Sequence, residues 1–310
     1  MRRLMVLIVM GCWALFAAAQ TAAPLELVVL GSGGPGATGR AGSGYAVLVD
    51  GTPRVLVDAG PGTFARLGEA KLVLTRLDVV LLTHLHVDHA GELPGLFKAR
   101  AVSSRGPIRF DVFGPEGSTG TKPGDASFPA TSRFVELLFG KDGAFAYLRD
   151  FSAPLTIVAT DLRTAVAPAP SPATIFTDGE LVVTAIAGHH RDAPAVIYRI
   201  DHRGSGKSIT FSGDIDAQGL ADLRRIAADT SLLVFNSVVL DPPDSPAVLY
   251  TLHTPPMGIG AVAADSHAGK LLLSHLSPTI DKAADAVTTS IAQRFKGPVV
   301  FATDGMRLAP

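Results

Sequence analysis

Between Thr83 and Gly91 the chain reads THLHVDHAG, which sets His84, His86, Asp88 and His89 within six consecutive positions. Imidazole nitrogen and carboxylate oxygen are ligands for transition-metal cations. Burying such groups unpaired would cost roughly 2–7 kcal/mol each, which argues against a plain core role. In an extended segment residues i and i+2 point the same way, so His84 and His86 project together. Asp88 and His89 lie in the turn that follows and face the same hollow from another angle. The cluster suits two cations, with His84 and His86 on one and Asp88 and His89 on the other. A catalytic zinc takes about three protein ligands and keeps an open position, so more donors are needed. Candidates are His189 and His190 in AIAGHHRDAP, Asp214 in FSGDID and His275 in LLLSHLSP.

Each candidate follows an apolar run that reads as a buried strand, the rigid mount such a site requires. Strands are predicted at 25–30, 45–49, 54–58, 77–82 and 108–114, and helices near 62–68, 93–102 and 132–148. The second half repeats the theme, with strands LTIVAT, LVVTAIA, AVIYRID, SITFSGD, SLLVFN, KLLLS and PVVFAT. Its helices fit 217–228, 255–267 and 278–295. Thr254 before Pro255, and Ser277 before Pro278, read as N-caps ahead of a first-turn proline. Strands and helices mixed twice over argue for two packed sheets with helices outside, treated as one domain because neither half closes a site alone. APAPSPA (167–173) reads as a short extended loop. GSGGPG (31–36) matches a dinucleotide-binding pattern, but a strand and not a helix follows it, so the phosphate-binding context fails. A loop bordering the site is the better reading.

Arg2 and Arg3, the apolar run 4–16 and Ala17-Ala18-Ala19 form the three parts of a secretory signal, giving residues 1–19 as leader and 20–310 as the working domain. A lipoprotein anchor at Cys12 is the competing processing. Cys12 is the single cysteine, so the mature chain is expected to lack disulfides and thiolate ligands. Formal charge is −1, which gives no clear nucleic-acid surface, and no membrane span is expected in the mature chain. A periplasmic or secreted protein follows from the leader, and a homodimer is compatible with the sequence. His267 reads as a residue at a helix C-terminus, His202 as an exposed turn residue and Asp304 as a cap on the last strand. Phe128, Phe134, Phe139 and Phe145 are read mainly as core, with contact to an apolar leaving group as the alternative.

THLHVDH resembles the H-x-H-x-D-H motif of the metallo-β-lactamase superfamily. FSGD and SHLSP are similar to its bridging-aspartate and last-histidine motifs, and LGSGGP with VDAGPGT (57–63) to its first strand pair and aspartate-glycine turn. GHHRDAPAVIYRI and HTPPMGIGAVAADSHAGKLLLSHLSP resemble the ribonuclease Z and arylsulfatase-like branch, and that register selects His190 over His189. The resemblance spans nearly all of the mature chain. It implies an α/β fold, a four-layer αββα sandwich with a dinuclear site at one edge. His84, His86 and His190 would bind one cation, Asp88, His89 and His275 the second, with Asp214 bridging. Asp58 would support the motif loop. The cofactor expected is two zinc ions, with manganese or iron as alternatives.

Two adjacent cations can share a water and lower its pKa from about 15.7 to near 7, so a metal-bridging hydroxide is the expected nucleophile. Asp88 would orient it, and His253 in HTPP would give a hydrogen bond or proton to the oxyanion or leaving group. The absence of a mature cysteine and the presence of FSGD disfavour the lactamases. Ribonuclease Z carries a tRNA-clamping arm between its third histidine and bridging aspartate, and the segment from His190 to Asp214 has no room for one. The expectation is therefore hydrolysis of a phosphodiester or aryl sulfate ester of a small molecule. The alternatives are a ribonuclease Z-like phosphodiesterase acting on nucleic acid, and a lactonase, thioester hydrolase or β-lactamase-like enzyme. A non-catalytic metal binder and a one-metal iron oxygenase are the readings from other classes.

Overall fold

The computed structural model describes residues 22–119, 127–164, 171–191, 193–242 and 244–310. The leader reading of residues 1–19 lies outside them, as do residues 167–170 of the extended loop. Strands β1 (Leu25–Gly31), β2 (Gly44–Val49), β3 (Thr52–Ala59), β4 (Val79–Leu81), β5 (Ile108–Pro115) and β6 (Leu155–Leu162) build the first sheet. The second sheet runs from β7 (Ala173–Thr177) through β8 (Leu181–Ala187), β9 (Val196–His202), β10 (Lys207–Phe211), β11 (Leu232–Asn236) and β12 (Leu271–Ser274) to β13 (Val299–Phe301). β14 (Arg307–Leu308) returns to pair antiparallel with β1, so the last residues of the chain close the first sheet. Each sheet has three antiparallel pairings followed by three parallel ones. The repeat read from the sequence is thus a repeat of sheet topology.

The apolar runs are nearly continuous because both faces of each sheet are covered. Leu27 and Val29 face the layer between the sheets, where they meet Val183, Tyr198, Ile200 and Phe211 of the other sheet. Val28 and Leu30 face outward into a second core with Leu93, Leu96 and Phe97. Those last residues belong to α3 (Leu93–Ser103), which follows α1 (Thr63–Glu69) and α2 (Val87–Ala90) and precedes α4 (Thr131–Phe139). On the far side Ile197, Leu233 and Leu273 pack against α5 (Leu220–Ile226), α6 (Pro256–Asp265) and α8 (Ala284–Ile291), with α7 (Pro278–Lys282) just before α8. Helix, sheet, sheet and helix make the four-layer αββα sandwich.

Local readings differ in instructive ways. LTIVAT, grouped with the second half by its place in the chain, pairs parallel with β5 and extends the first sheet. The helix expected over 278–295 breaks at Ala283. Ser277 does cap α7, its side chain accepting from the Ile280 N–H. Thr254 does not cap α6, because its hydroxyl donates to the Ile215 carbonyl instead, and Pro255 takes the N-cap place. That bond ties the approach to α6 to the loop carrying Asp214. His202 is buried at the end of β9 and contacts the Ser205 hydroxyl, so it is not an exposed turn residue.

Candidate metal centre

The loops that leave the ends of β4, β8, β10 and β12 converge on one edge of the sandwich. His84 and His86 follow β4, and the short α2 supplies Asp88 and His89. His190 follows β8, Asp214 follows β10 and His275 follows β12. The backbone of His275 is left-handed (φ 55°), as is that of Asp58 (φ 57°). Such conformations cost of order 1–3 kcal/mol in a residue with a side chain and tend to gather at functional sites.

The structure brings all seven expected ligands together. Three groups each place donor atoms within 4.8 Å of one another: His84, His86 and His190; Asp88, His89 and His275; and His84, His89 and Asp214. Asp214 Oδ2 stands among them, 3.4 Å from His275 Nε2, 3.6 Å from His89 Nε2, 3.8 Å from His190 Nε2 and 4.0 Å from His84 Nε2. Asp88 Oδ2 lies 3.2 Å from His275 Nε2. His189 is turned out of the cluster, its Nδ1 2.8 Å from Asp216 Oδ2. Of the adjacent histidines, His190 is the one that reaches the site.

Outer partners set which ring nitrogen faces inward, the usual device around metal-binding histidines. His190 Nδ1 donates to the Leu252 carbonyl at 2.8 Å, leaving Nε2 for the site. His89 Nδ1 meets Asp58 Oδ2 at 2.7 Å, and Asp58 also accepts from the backbone N–H and hydroxyl of Thr83. Asp58 therefore holds the motif loop from beneath. Gly60, in the same turn, lets the backbone of Asp88 come close, since a Cβ there would sit 2.1 Å from the Asp88 carbonyl oxygen. His89 Nε2 is buried without a hydrogen-bond partner. A bare buried nitrogen is costly, and a cation between it and the carboxylates would satisfy it. Nitrogen and oxygen donors in this number fit divalent ions of the zinc type.

Charge follows the same plan. Burial pushes the imidazoles of His84, His86 and His190 below the ordinary histidine value. Burial also acts on His89, but the carboxylates of Asp58 and Asp214 outweigh it and hold that ring well above the ordinary value. Burial would raise Asp214, yet His275, His253 and His89 hold its carboxyl well below the usual range. His253 is buried with its ring centroid 5.6 Å from that of His190 and 5.7 Å from that of His275. Its Nδ1 lies 3.9 Å from Asp214 Oδ2.

Other residues reach the site by routes the sequence hides. Phe128 pairs with Ser118 and sets its ring 5.8 Å from that of His86, whereas Phe134, Phe139 and Phe145 pack in the core under α4. Asp304 does more than cap a strand. It accepts from the N–H and hydroxyl of Ser32 and from the Ala41 N–H, and it pairs with Arg66. This clamps the glycine loop against His275. His267 is exposed just past α6, near Asp229, as its place at a helix end implied.

Two mixed sheets between helix layers, with His and Asp donors gathered where strands end, define an α/β protein built around a metal site. The chain belongs to the metallo-β-lactamase superfamily, whose family profile matches residues 39–219. It is similar to the protein named Ribonuclease Z of Mycobacterium sp. (strain KMS), 26% identical over 270 residues that cover 84% of this chain and 87% of that one. It is similar to Ribonuclease Z of Mycobacterium avium (strain 104), 28% identical over 297 residues that cover 90% of this chain and 96% of the other. Human tRNase Z, short form, shares the fold with a TM-score of 0.66 at 22% identity, covering 92% of this chain and 98% of its own.

Proposed function

We propose that this chain is a metal-dependent phosphodiesterase of the ribonuclease Z type, cleaving a phosphodiester bond in nucleic acid. The observation that carries it is the gathering of His84, His86 and His190 in one donor group and Asp88, His89 and His275 in another, with Asp214 Oδ2 within 4.0 Å of His84, His89, His190 and His275. His84, His86 and His190 would hold one divalent cation, Asp88, His89 and His275 the other, with Asp214 between them. Zinc is the ion that this nitrogen-and-oxygen set favours, ahead of manganese or iron. Bound there, the cations supply Lewis acidity and bring the pKa of a water near 7. Asp88, buried beside His275, would accept a hydrogen bond from that water and orient it. His253 donates a hydrogen bond to the phosphoryl oxygen that gains charge. Relatives named Ribonuclease Z favour the phosphodiester over the aryl sulfate.

A small phosphodiester is the second reading, and one feature favours it. β9 and β10 are joined by a four-residue turn, Arg203 to Gly206, closed by a bond from the Gly206 N–H to the His202 carbonyl. The RNA-clamping arm that the resemblance places between the third histidine and Asp214 has no counterpart there. An exported protein, as residues 1–19 suggest, would also meet small diesters sooner than precursor RNA.

The test loads the protein with zinc and compares bis(p-nitrophenyl) phosphate, p-nitrophenyl sulfate, a chromogenic lactam and an RNA carrying a 3′ trailer. The expected result is chelator-sensitive turnover of the phosphate diester and the RNA. Turnover of the diester without the RNA selects the small-molecule reading. Turnover of the sulfate or lactam alone sinks both.

A further inference from the structure

β11 ends on Asn236, a polar residue closing an apolar run. In the parallel ladder its Cα lies opposite Ser274 of β12, one residue before His275. Asn236 is buried, and its Nδ2 donates to Asp214 Oδ1 at 2.6 Å. Its backbone N–H donates to the Ser212 hydroxyl, and the Ser212 N–H donates to the Val234 carbonyl. The loop carrying Asp214 is thereby stitched to β11 both through backbone and through side chain.

This bond makes the two oxygens of Asp214 unequal. The approaches from ring nitrogens of His84, His89, His190, His253 and His275, at 3.4–4.0 Å, all go to Oδ2. Oδ1 is occupied by the amide. An unrestrained carboxylate between two cations has a choice, since it can share one oxygen or give one oxygen to each. A neutral amide donor on Oδ1 removes that choice without adding charge. A carboxylate at position 236 would repel Asp214, and an apolar side chain would leave Oδ1 buried and unpaired, free to swing onto a cation. We infer that Asn236 is a positioning residue: by holding Oδ1 it commits Asp214 to present Oδ2 alone to the two cations that the site would hold. The inference rests on the dinuclear reading above.

The test uses Asn236→Leu, which keeps the branched shape and loses the donor, and Asn236→Ala, which also loses the donor but adds no bulk. Wild type and variants are titrated with Mn2+ against a chromophoric chelator, and electron paramagnetic resonance follows the coupling between the bound ions. Loss of such an outer partner typically weakens metal binding 10–100-fold. The expected result is a rise of about that size in the dissociation constant of the weaker-bound ion, with an altered exchange coupling. Melting of the metal-free variants supplies the control, because a purely structural role would lower it while leaving affinity and coupling alone. Wild-type affinity and coupling in both variants overturn the inference. Fewer than two ions on the wild type overturn the dinuclear reading, and this inference with it, a result recognisable before any variant is made.

Discussion

His253 gains its role from what surrounds it. Its ring is buried beside His190 and His275, and its Nδ1 has no hydrogen-bond partner. Burial pushes its imidazole down to about 4, and the carboxylate of Asp214 offsets this only in part. At neutral pH the ring therefore carries no charge. It can donate one hydrogen bond but has no spare proton to release, so of the two roles open to it from the sequence the structure favours the first. A fixed donor aimed at developing negative charge contributes through differential stabilisation of the transition state. Replacing His253 by Ala should leave the bound metal unchanged and lower kcat roughly 100- to 1,000-fold, the range for loss of one such donor. Metal analysis beside steady-state kinetics checks this, and an unchanged kcat at full metal content would remove His253 from the chemistry.

The glycine loop between β1 and β2 is best understood as an element. It is held by the Gly33 N–H on the Ala41 carbonyl and by the Leu276 N–H on the Ser32 carbonyl. Asp304 clamps it from outside, and Arg40, within the loop, bonds the Ser32 hydroxyl and reaches out to the Ala302 carbonyl and Asp281. The clamp presses Gly34 to the His275 ring, where a Cβ would lie 2.7 Å from Cε1. Gly34→Ala should tilt that ring and weaken the cation held with Asp88 and His89 by about 10-fold or more, the scale for disturbing a ligand's support. The cation on His84, His86 and His190 should keep its affinity. Calorimetric zinc titration distinguishes the two, and two unaltered affinities would refute the contact. Much of this element was legible, since glycines that open no helix already excluded a phosphate loop. The clustering of the seven candidate ligands was legible for a related reason, as polar residues at the ends of apolar runs. What the sequence concealed depends on long-range partners. Asp304 lies 272 residues from Ser32, and Asn236 looks like an ordinary strand end until Asp214 is beside it. The two-residue β14 carries too little pattern to read, and β6 misleads because chain order does not reveal which sheet a strand joins.

For the whole molecule, folding brings like groups together and cations relieve them. In the metal-free protein His84, His86, His190 and His253 have lowered pKa values, all chiefly from burial. Below the unfolded value near 6.5 the unfolded chain binds protons that these folded rings refuse, so stability falls as pH drops from there toward the folded values. His89 has the opposite sign. Its raised pKa contributes stability that is full below about 6.5 and is lost only as pH rises through its folded value. The depressed carboxyl of Asp214 contributes above its unfolded value near 3.9 and is lost as pH falls through the folded one. Between pH 6.5 and 5 the buried neutral histidines therefore dominate. The metal-free protein should lose several degrees of Tm across that window, at roughly 2–4 °C per kcal/mol for a large domain. Zinc at 100 times its Kd should restore about 2.7 kcal/mol for each independent site near neutrality. That gain should shrink toward pH 5, where protons compete for the same nitrogens. Scanning Tm against pH with and without zinc tests both signs at once. A metal-free Tm that is flat or rises on acidification would mean that these rings are not buried neutral before the cations arrive.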